Sequence, residues 1–137
     1  MEKETSGKGK AQPEYLKYVS PALADELCEG IVRLLLVGKR YTDMHYSARQ
    51  LAEDLGTNQR YLSIVFHTRL HTNYCSYVNK LRVDKAMSLL TDPRYAELRI
   101  EDVSDMVGFT SRQSFYNAFQ KQVGQRPLEW RRQNKTW

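Results

Sequence analysis

One short stretch of the chain is written twice, and this duplication limits what the chain can fold into. The first copy occupies residues 51–66 and the second occupies residues 103–119 of 137. Gly56 recurs as Gly108, an offset of 52 residues, whereas the apolar positions after the glycine recur at an offset of 53. Each copy contains an apolar-periodic segment, a glycine turn and a second segment with apolar residues four apart. The pattern predicts two helix-turn-helix motifs.

The rest of the chain shows helical periodicity and predicts an all-α fold. Ser20 and Pro21 form a helix start, with the serine as the cap and the proline at the first helical position. The apolar periodicity that follows continues to about Val37, and Gly38 is expected to end that helix. No stretch alternates apolar and polar residues as a strand would. We predict about seven helices, arranged as two helix-turn-helix lobes joined by a long linker helix.

The linker helix lies between the two copies of the motif and divides the chain. Asp92 and Pro93 are expected to end it, because the residue before a proline is disfavoured in a helix. The predicted segments are a flexible arm or linker remnant at 1–19, lobe one at 20–72, the linker helix at 73–91, lobe two at 98–132 and a tail at 133–137.

Positive charge is concentrated at one end of the chain. The formal net charge is +5, yet residues 1–110 hold 15 basic and 15 acidic residues. The excess therefore lies in residues 111–137, where six basic residues accompany Glu129 alone. Two windows without acidic residues, 55–83 and 106–128, each contain the second helix of one copy. Surfaces of this kind favour a polyanionic partner.

The composition and the motifs argue against several other classes of protein. No apolar run approaches the roughly 20 residues that a membrane span requires. The N-terminus lacks an apolar signal segment, so the expected compartment is a reducing cytoplasm, with Cys28 and Cys75 as free thiols buried in helices. His67 and His71 lie four residues apart without a third ligand, which argues against a metal site. No phosphate-binding glycine loop or nucleophile motif is present, so neither an enzyme nor a cofactor is predicted.

Many residues at helical spacing carry a resemblance to a known family. They are Tyr61, Leu62, Ser63, Phe66, Tyr77, Leu81, Arg82, Ala86, Val107, Gly108, Phe109, Phe115, Phe119, Gly124, Pro127, Trp130 and Arg131. In these residues the chain resembles, over about 20–132, the DNA-binding domain of the AraC/XylS transcription regulators of bacteria. The resemblance implies two helix-turn-helix lobes on a rigid linker helix. It also implies that the second helix of each lobe enters one of two successive major grooves on one face of DNA.

The second helix of each motif, 58–70 in lobe one and 111–123 in lobe two, is the expected recognition helix. An α-helix fits the major groove of DNA, and residues early in that helix reach the base edges. Guanidinium and amide groups can bond a base through two atoms at once, so Arg60 is the leading reader in lobe one. The residues predicted to read bases are Gln59, Arg60, Ser63, Ile64, Arg112, Gln113, Tyr116 and Asn117. For Ile64 and Tyr116, packing against a neighbouring helix is an equal alternative.

Helix N-termini and basic side chains are the expected phosphate contacts. The amides and the dipole at a helix N-terminus favour anions, and lysine or arginine adds charge. The predicted phosphate-contacting residues are Ser47, Asn58, His67, Ser111, Gln120, Arg126, Arg131 and Arg132. Arg99 and His71 depart from the family, which usually has a Ser/Thr cap and a glycine at these positions. Arg82 matches an arginine of the family's linker helix, for which either a structural ion pair or a DNA contact is open.

The predicted function is sequence-specific binding of double-stranded DNA to regulate transcription, with RNA polymerase as a further expected partner. Successive major grooves on one face repeat once per helical turn, so the expected site is bipartite and asymmetric, with half-elements about 10 base pairs apart. The chain is expected to bind as a monomer unless a dimerisation domain is missing, and no membrane contact is expected. Two alternatives stay open: a protein-interaction module, and the excised output domain of a longer sensor regulator.

Overall fold

The computed structural model of the chain describes residues 19–137, and every regular element in this range is helical. In chain order the elements are α1 (Pro21–Ile31), its continuation as a π-helix (Val32–Val37), a 3-10 turn (Arg40–Thr42), α2 (Ala48–Asp54), α3 (Gln59–Arg69), α4 (Tyr74–Leu90), a second 3-10 turn (Pro93–Tyr95), α5 (Ile100–Val107), α6 (Arg112–Val123) and α7 (Pro127–Asn134). The predicted all-α class is therefore confirmed for these residues. The predicted arm at 1–19 lies outside them, apart from Val19.

Five of the described α-helices begin at a side-chain cap, near the starts that the sequence predicts. Ser20 Oγ accepts a hydrogen bond from Leu23 N at 3.1 Å, directly before Pro21. The helices α2, α3, α4 and α6 begin in the same way. In each, the cap side chain accepts a hydrogen bond from the backbone amide three residues later, and the caps are Ser47, Asn58, Asn73 and Ser111. Each cap satisfies one of the amides that a helix start leaves without an intrahelical partner. The second helices of the two motif copies thus begin in the same way.

The first helix ends at Val37 with Gly38 as its C-cap, as predicted, but its last six residues form a π-helix. The sequence predicts one helix to about Val37, whereas the backbone widens into a π-helix from Val32. Gly38 N donates to Arg33 O, five residues back, at 2.8 Å, which is the hydrogen-bond spacing of a π-helix. Gly38 itself keeps a negative φ, and the left-handed residue is Lys39 with φ 58°. The helix therefore ends at the predicted residue, and the left-handed conformation follows one residue after Gly38.

Two apolar cores, one in each lobe, hold the helices together. The lobe-one core is built mainly by α1, α2 and α3, and it includes Val78 of α4. The lobe-two core is built mainly by α5 and α6, and it includes Val83, Ala86 and Leu90 of α4. Burial of such side chains stabilises a fold by roughly 25 cal/mol for each Å² of apolar surface removed from water. Because α4 supplies side chains to both cores, it is a structural part of both lobes.

The two cysteines are less buried than predicted. Cys28 on α1 is half-buried, and Cys75 in the first turn of α4 is exposed. Tyr74 and Tyr77 are the residues of the first turns of α4 that pack against the lobe-one core, and Cys75 lies off that face of the helix. The expectation of a buried position is therefore wrong for Cys75.

Candidate nucleic-acid interface

The exposed strip of α3 contains most of the residues predicted to read bases in lobe one. Gln59, Arg60 and Ser63 are exposed in the first half of the helix, and His67 is exposed one turn later. The strip is narrow, because α3 packs against both α1 and α2. Its side chains are all polar, as contacts with base edges and phosphates require.

Ile64 does not belong to this strip, and the prediction that it reads bases is wrong. Its side chain is only 2% exposed, so it cannot reach a base. The alternative role in packing, which the sequence left open, is the one that the structure supports. Burying an isoleucine side chain contributes about 1.5–3 kcal/mol to folding.

A groove beside α3 gathers residues from the starts of two other helices. Gln59 and Ser63 line it from α3, and Ala48 lines it from α2. Asn73 and Cys75 line it from the start of α4. Sequence reasoning missed these last two residues, because they lie outside the repeated motif. The N-terminal ends of α2 and α4 are thus next to side chains predicted to read bases.

The outward face of α6 is also polar. Arg112, Gln113 and Asn117 are exposed, whereas Tyr116 is half-buried with its ring centroid 6.0 Å from that of Phe115. Gln113 Nε2 donates to Asn117 Oδ1 at 2.8 Å. This bond fixes two amide side chains as a pair that presents donor and acceptor atoms together.

A shallow depression in lobe two brings predicted base-reading and phosphate-contacting residues together. Its lining is formed by Gln113, Tyr116, Asn117, Gln120 and Arg126. The first four lie on α6, and Arg126 is the residue directly before α7. Amide groups, an aromatic ring and a guanidinium thus meet on one surface. Such a set is chemically suited to base edges and phosphate oxygens.

An ion pair that the sequence did not predict orients Arg112. Its Nη2 atom lies 2.9 Å from Oε2 of Glu101, in the first turn of α5. Both side chains are exposed by more than a third, so the pair adds little to stability. It links the first turns of the two helices of the second motif and holds the guanidinium beside the start of α6.

The predicted phosphate contacts at helix N-termini keep exposed positions. Ser47, Asn58 and Ser111 are exposed caps of α2, α3 and α6. The start of α5 differs, since Asp102 Oδ2 accepts from Arg99 N at 2.9 Å. This hydrogen bond, with a second one from the Arg99 side chain, holds the pKa of Asp102 below its ordinary value. A carboxylate of the protein already lies at that helix start, which disfavours a phosphate there.

Arg131 is not a phosphate contact, contrary to the prediction. Its side chain is buried, and its guanidinium donates to backbone carbonyls at the end of α4 and in the connection to α5. The acceptors are the carbonyl oxygens of Leu90, Tyr95, Ala96 and Leu98, at 2.5 to 3.4 Å. Arg131 therefore ties this connection to α7. The remaining candidates, whose roles stay predictions, are the exposed His67, Gln120, Arg126 and Arg132.

Arg82 on α4 bonds to the protein backbone. Its Nε atom donates to Tyr41 O at 2.6 Å, and its Nη2 atom donates to Asp43 O at 3.3 Å. Burial lowers the pKa of its guanidinium from the ordinary value. Of the two roles left open by the sequence, the structure supports the structural one, with carbonyl oxygens in place of the expected carboxylate.

Tyr46 holds the loop that precedes α2. Its hydroxyl donates to Asp54 Oδ2, at the end of α2, at 2.6 Å. Burial and this hydrogen bond raise the pKa of Tyr46 above its ordinary value, and the same bond lowers the pKa of Asp54. The Tyr74 hydroxyl in turn donates to Tyr46 O at 3.0 Å. These bonds fix the segment that leads to the Ser47 cap.

The part of the chain that the structure describes contains neither a membrane-spanning helix nor a metal site. None of its helices is long and apolar enough to cross a bilayer. Within residues 19–137, no three His, Cys, Asp or Glu side chains lie close enough together to hold a metal ion.

Known proteins share both the sequence pattern and the fold. A family model described as a helix-turn-helix domain matches residues 51–133. A curated relative is the HTH-type transcriptional regulator AlkR of Acinetobacter baylyi, which is 24% identical over 94 residues. That match covers 69% of this chain and 30% of AlkR. The chain spans about 30% of the length of the curated relatives it matches.

Two solved structures are similar to the described helices. The C-terminal domain of AraT, a response regulator from Geobacillus stearothermophilus, has a TM-score of 0.71 at 24% identity, with 88% of this chain and 91% of that chain covered. A transcriptional regulator from Chromobacterium violaceum, which has an AraC-type DNA-binding domain, has a TM-score of 0.65 at 22% identity. Here 84% of this chain and 96% of that chain are covered. At these identities the likeness shows a shared fold.

Proposed function

Because the chain belongs to the AraC-type helix-turn-helix family, we propose that it binds double-stranded DNA in a sequence-specific manner and thereby regulates transcription. The observation that carries this proposal is the polar, exposed face on each of two duplicated helices, α3 and α6. Each of these helices starts at an exposed side-chain cap and follows a glycine turn with positive φ. This is the arrangement in which a recognition helix presents its first turns to DNA.

In the proposed complex, α3 and α6 enter successive major grooves on one face of the duplex. Arg60 and Arg112 are the main base readers, since an arginine can bond O6 and N7 of a guanine at once. The other proposed readers are Gln59, Ser63, Gln113, Tyr116 and Asn117. A glutamine or an asparagine can bond N6 and N7 of an adenine in the same bidentate way. The two half-elements of the site then lie about 10 base pairs apart.

Contacts with phosphate oxygens hold the chain in register on the duplex. We place them at the helix starts capped by Ser47, Asn58 and Ser111 and at the side chains His67, Gln120, Arg126 and Arg132. The charge excess of residues 111–137 supports phosphate binding by lobe two. Such contacts carry no sequence information, and they make affinity depend on salt.

Regulation of transcription implies further properties of the chain. The relative AlkR is named as a transcriptional regulator, which supports a regulatory role for DNA binding here. We propose RNA polymerase as a partner, cytoplasm as the compartment and a single copy of the domain on each asymmetric site. The alternative of a protein-interaction module requires apolar exposed faces on the duplicated helices, and the exposed residues of α3 and α6 are mostly polar.

Arg112→Ala is expected to weaken binding to the preferred duplex by about 1 to 3 kcal/mol and to relax base preference at one position. Arg132→Ala is expected to weaken binding to all duplexes alike and to reduce the slope of log affinity against log salt by about one. Fluorescence anisotropy titrations at several salt concentrations measure both effects. The duplexes are the preferred sequence and its single-position variants.

The ion pair with Glu101 needs a control, because Arg112→Ala leaves that carboxylate facing the DNA without its partner. In the double variant Arg112→Ala/Glu101→Ala this repulsion is absent, and the loss of preference at one position should persist. An equal loss of affinity on every duplex, with no relaxed position, would show that Arg112 contacts a phosphate.

A further inference from the structure

The two lobes meet at a junction beside the middle of α4. The junction consists of residues 41–43 from lobe one, Arg82 from α4 and residues 108–109 from the turn of the second motif. Tyr41 is buried in the lobe-one core, and Phe109 is buried in the lobe-two core. The junction therefore connects two packed cores directly, in addition to the connection that α4 provides.

Arg82 contacts both sides of the junction. It donates hydrogen bonds to the carbonyl oxygens of Tyr41 and Asp43, at 2.6 and 3.3 Å. Its guanidinium carbon also lies 5.6 Å from the centroid of the Phe109 ring, within the range of a cation–π contact. One side chain thus bonds the lobe-one loop and lies over an aromatic ring of lobe two.

Gly108 brings the two lobes into backbone contact. A Cβ at this position would lie 2.7 Å from Tyr41 O and 2.8 Å from Thr42 O, which is closer than real Cβ contacts. Gly56, the equivalent residue in the first motif, has nothing within 4 Å of a Cβ. Both glycines have positive φ, so the turn alone explains Gly56. At Gly108, the close approach of lobe one is a second requirement.

The middle of α4 is the point at which bending of this helix would move the two lobes relative to each other. Val78 is the fully buried residue that α4 supplies to the lobe-one core, and Val83 is the first that it supplies to the lobe-two core. Between them α4 passes from one lobe to the other, and bending of the helix there would change the angle between the lobes. Arg82 lies in this interval and bonds across it.

We propose that the junction fixes the separation and angle of α3 and α6, and that Arg82 is the positioning residue that restricts binding to one spacing of the half-elements. This inference rests on the proposed DNA-binding function. Adding one base pair between half-elements moves the second one by about 3.4 Å and turns it by roughly 35° about the DNA axis. Lobes held at a fixed angle cannot follow this change. Lobes joined by α4 alone can follow it through bending of α4 between Val78 and Val83.

A distance measurement without DNA tests the structural half of the proposal. Spin labels are attached at Glu53→Cys on α2 and Glu129→Cys on α7, in a Cys28→Ala/Cys75→Ser background. Pulsed electron–electron double resonance measures the distance between the two labels. It is expected to give one narrow distance distribution for this background and a broader one after Arg82→Gln. Arg94→Gln is the matched control, because Arg94 is exposed in the 3-10 turn after α4 and pairs locally with Asp92.

This comparison requires a folded Arg82→Gln variant, and far-UV circular dichroism shows whether the variant is folded. If Arg82→Gln unfolds, Arg82→Lys takes its place, since lysine keeps the charge but cannot bond both carbonyls in the fork geometry of a guanidinium. A distribution in the folded Arg82 variant as narrow as in the Arg94→Gln control would overturn the proposal.

A DNA measurement tests the functional half. The unaltered chain is first used to select bound duplexes from a random pool. The selected duplex is then made again with one base pair added or removed between the two enriched blocks. The unaltered chain is expected to lose roughly tenfold or more in affinity at the altered spacings, because the DNA must be deformed to restore the contacts. The Arg82 variant is expected to lose less than about threefold while preferring the same bases in each block.

The two measurements separate the inference from the function on which it rests. If the selection enriches no DNA block while Arg82→Gln still broadens the distance distribution, the proposed DNA recognition is wrong, and the role of Arg82 in holding the lobes at the junction is retained. If two blocks are enriched but the Arg82 variant discriminates spacing as sharply as the unaltered chain, the function stands and the role of Arg82 in spacing is wrong.

Discussion

Arg131→Ala is expected to lower the free energy of unfolding by about 3 to 5 kcal/mol, while the salt dependence of DNA binding by the folded fraction stays unchanged. The guanidinium of Arg131 is buried and donates to the carbonyls of Leu90, Tyr95, Ala96 and Leu98. Alanine cannot bond these carbonyls, and a buried acceptor without a hydrogen bond costs about 1 to 3 kcal/mol. The end of α4 and the connection to α5 then lose their attachment to α7.

Urea denaturation measures this effect, and the neighbouring residue supplies the control. Arg132 is exposed on the same helix, so Arg132→Ala is expected to change the free energy of unfolding by no more than about 0.5 kcal/mol. The opposite pattern, a stable Arg131→Ala variant with a shallower salt slope, would mean that Arg131 contacts phosphates and would contradict the structure.

Gly108→Ala is expected to destabilise the fold by about 3 kcal/mol or more, and Gly56→Ala by only about 1 to 2 kcal/mol. An alanine at φ 67°, the value at Gly56, costs about 1 to 2 kcal/mol, whereas φ 105° at Gly108 lies beyond the usual left-handed region and strains an alanine further. Only at Gly108 does the new Cβ meet backbone atoms, those of Tyr41 and Thr42 in lobe one. The difference between the two variants therefore reports the contact between the lobes together with the greater backbone strain at position 108.

Denaturant midpoints of the two alanine variants give this difference directly. Because the glycines occupy the same position in the two copies of the motif, each variant serves as the control for the other. Equal destabilisation by Gly108→Ala and Gly56→Ala would show that the lobe-one loop moves away easily, and that backbone conformation alone requires a glycine at position 108.

Local features of the fold followed from the sequence because they depend on neighbouring residues. Ser20, Asn58 and Ser111 cap helices where predicted, since a cap requires only a polar side chain three residues before an amide. His71 stands where the family usually has a glycine, and its φ of 55° shows that the turn keeps its left-handed form. The π-helix at the end of α1 was not predictable, because helical periodicity does not distinguish the two kinds of helix.

The candidate site was predicted less well, because periodicity indicates which residues share a helix face but not what covers that face. Ile64 and Asn117 are equivalent at the offset of 53 residues, yet Ile64 is buried and Asn117 is exposed. The polarity of the two side chains was the signal that distinguishes them. Arg131 looked like part of a basic surface, because the four carbonyls that bind it come together only in the folded lobe.

The most direct test of the proposed function is selection of bound sequences from a random duplex DNA pool by the purified chain at near-physiological salt. Because α3 and α6 are both polar recognition helices and α4 joins their lobes, we expect an asymmetric motif with two enriched blocks about 10 base pairs apart. A single block would mean that only one lobe reads bases. Recovery of no motif at all, from a chain shown to be folded, would contradict the proposal that α3 and α6 recognise DNA.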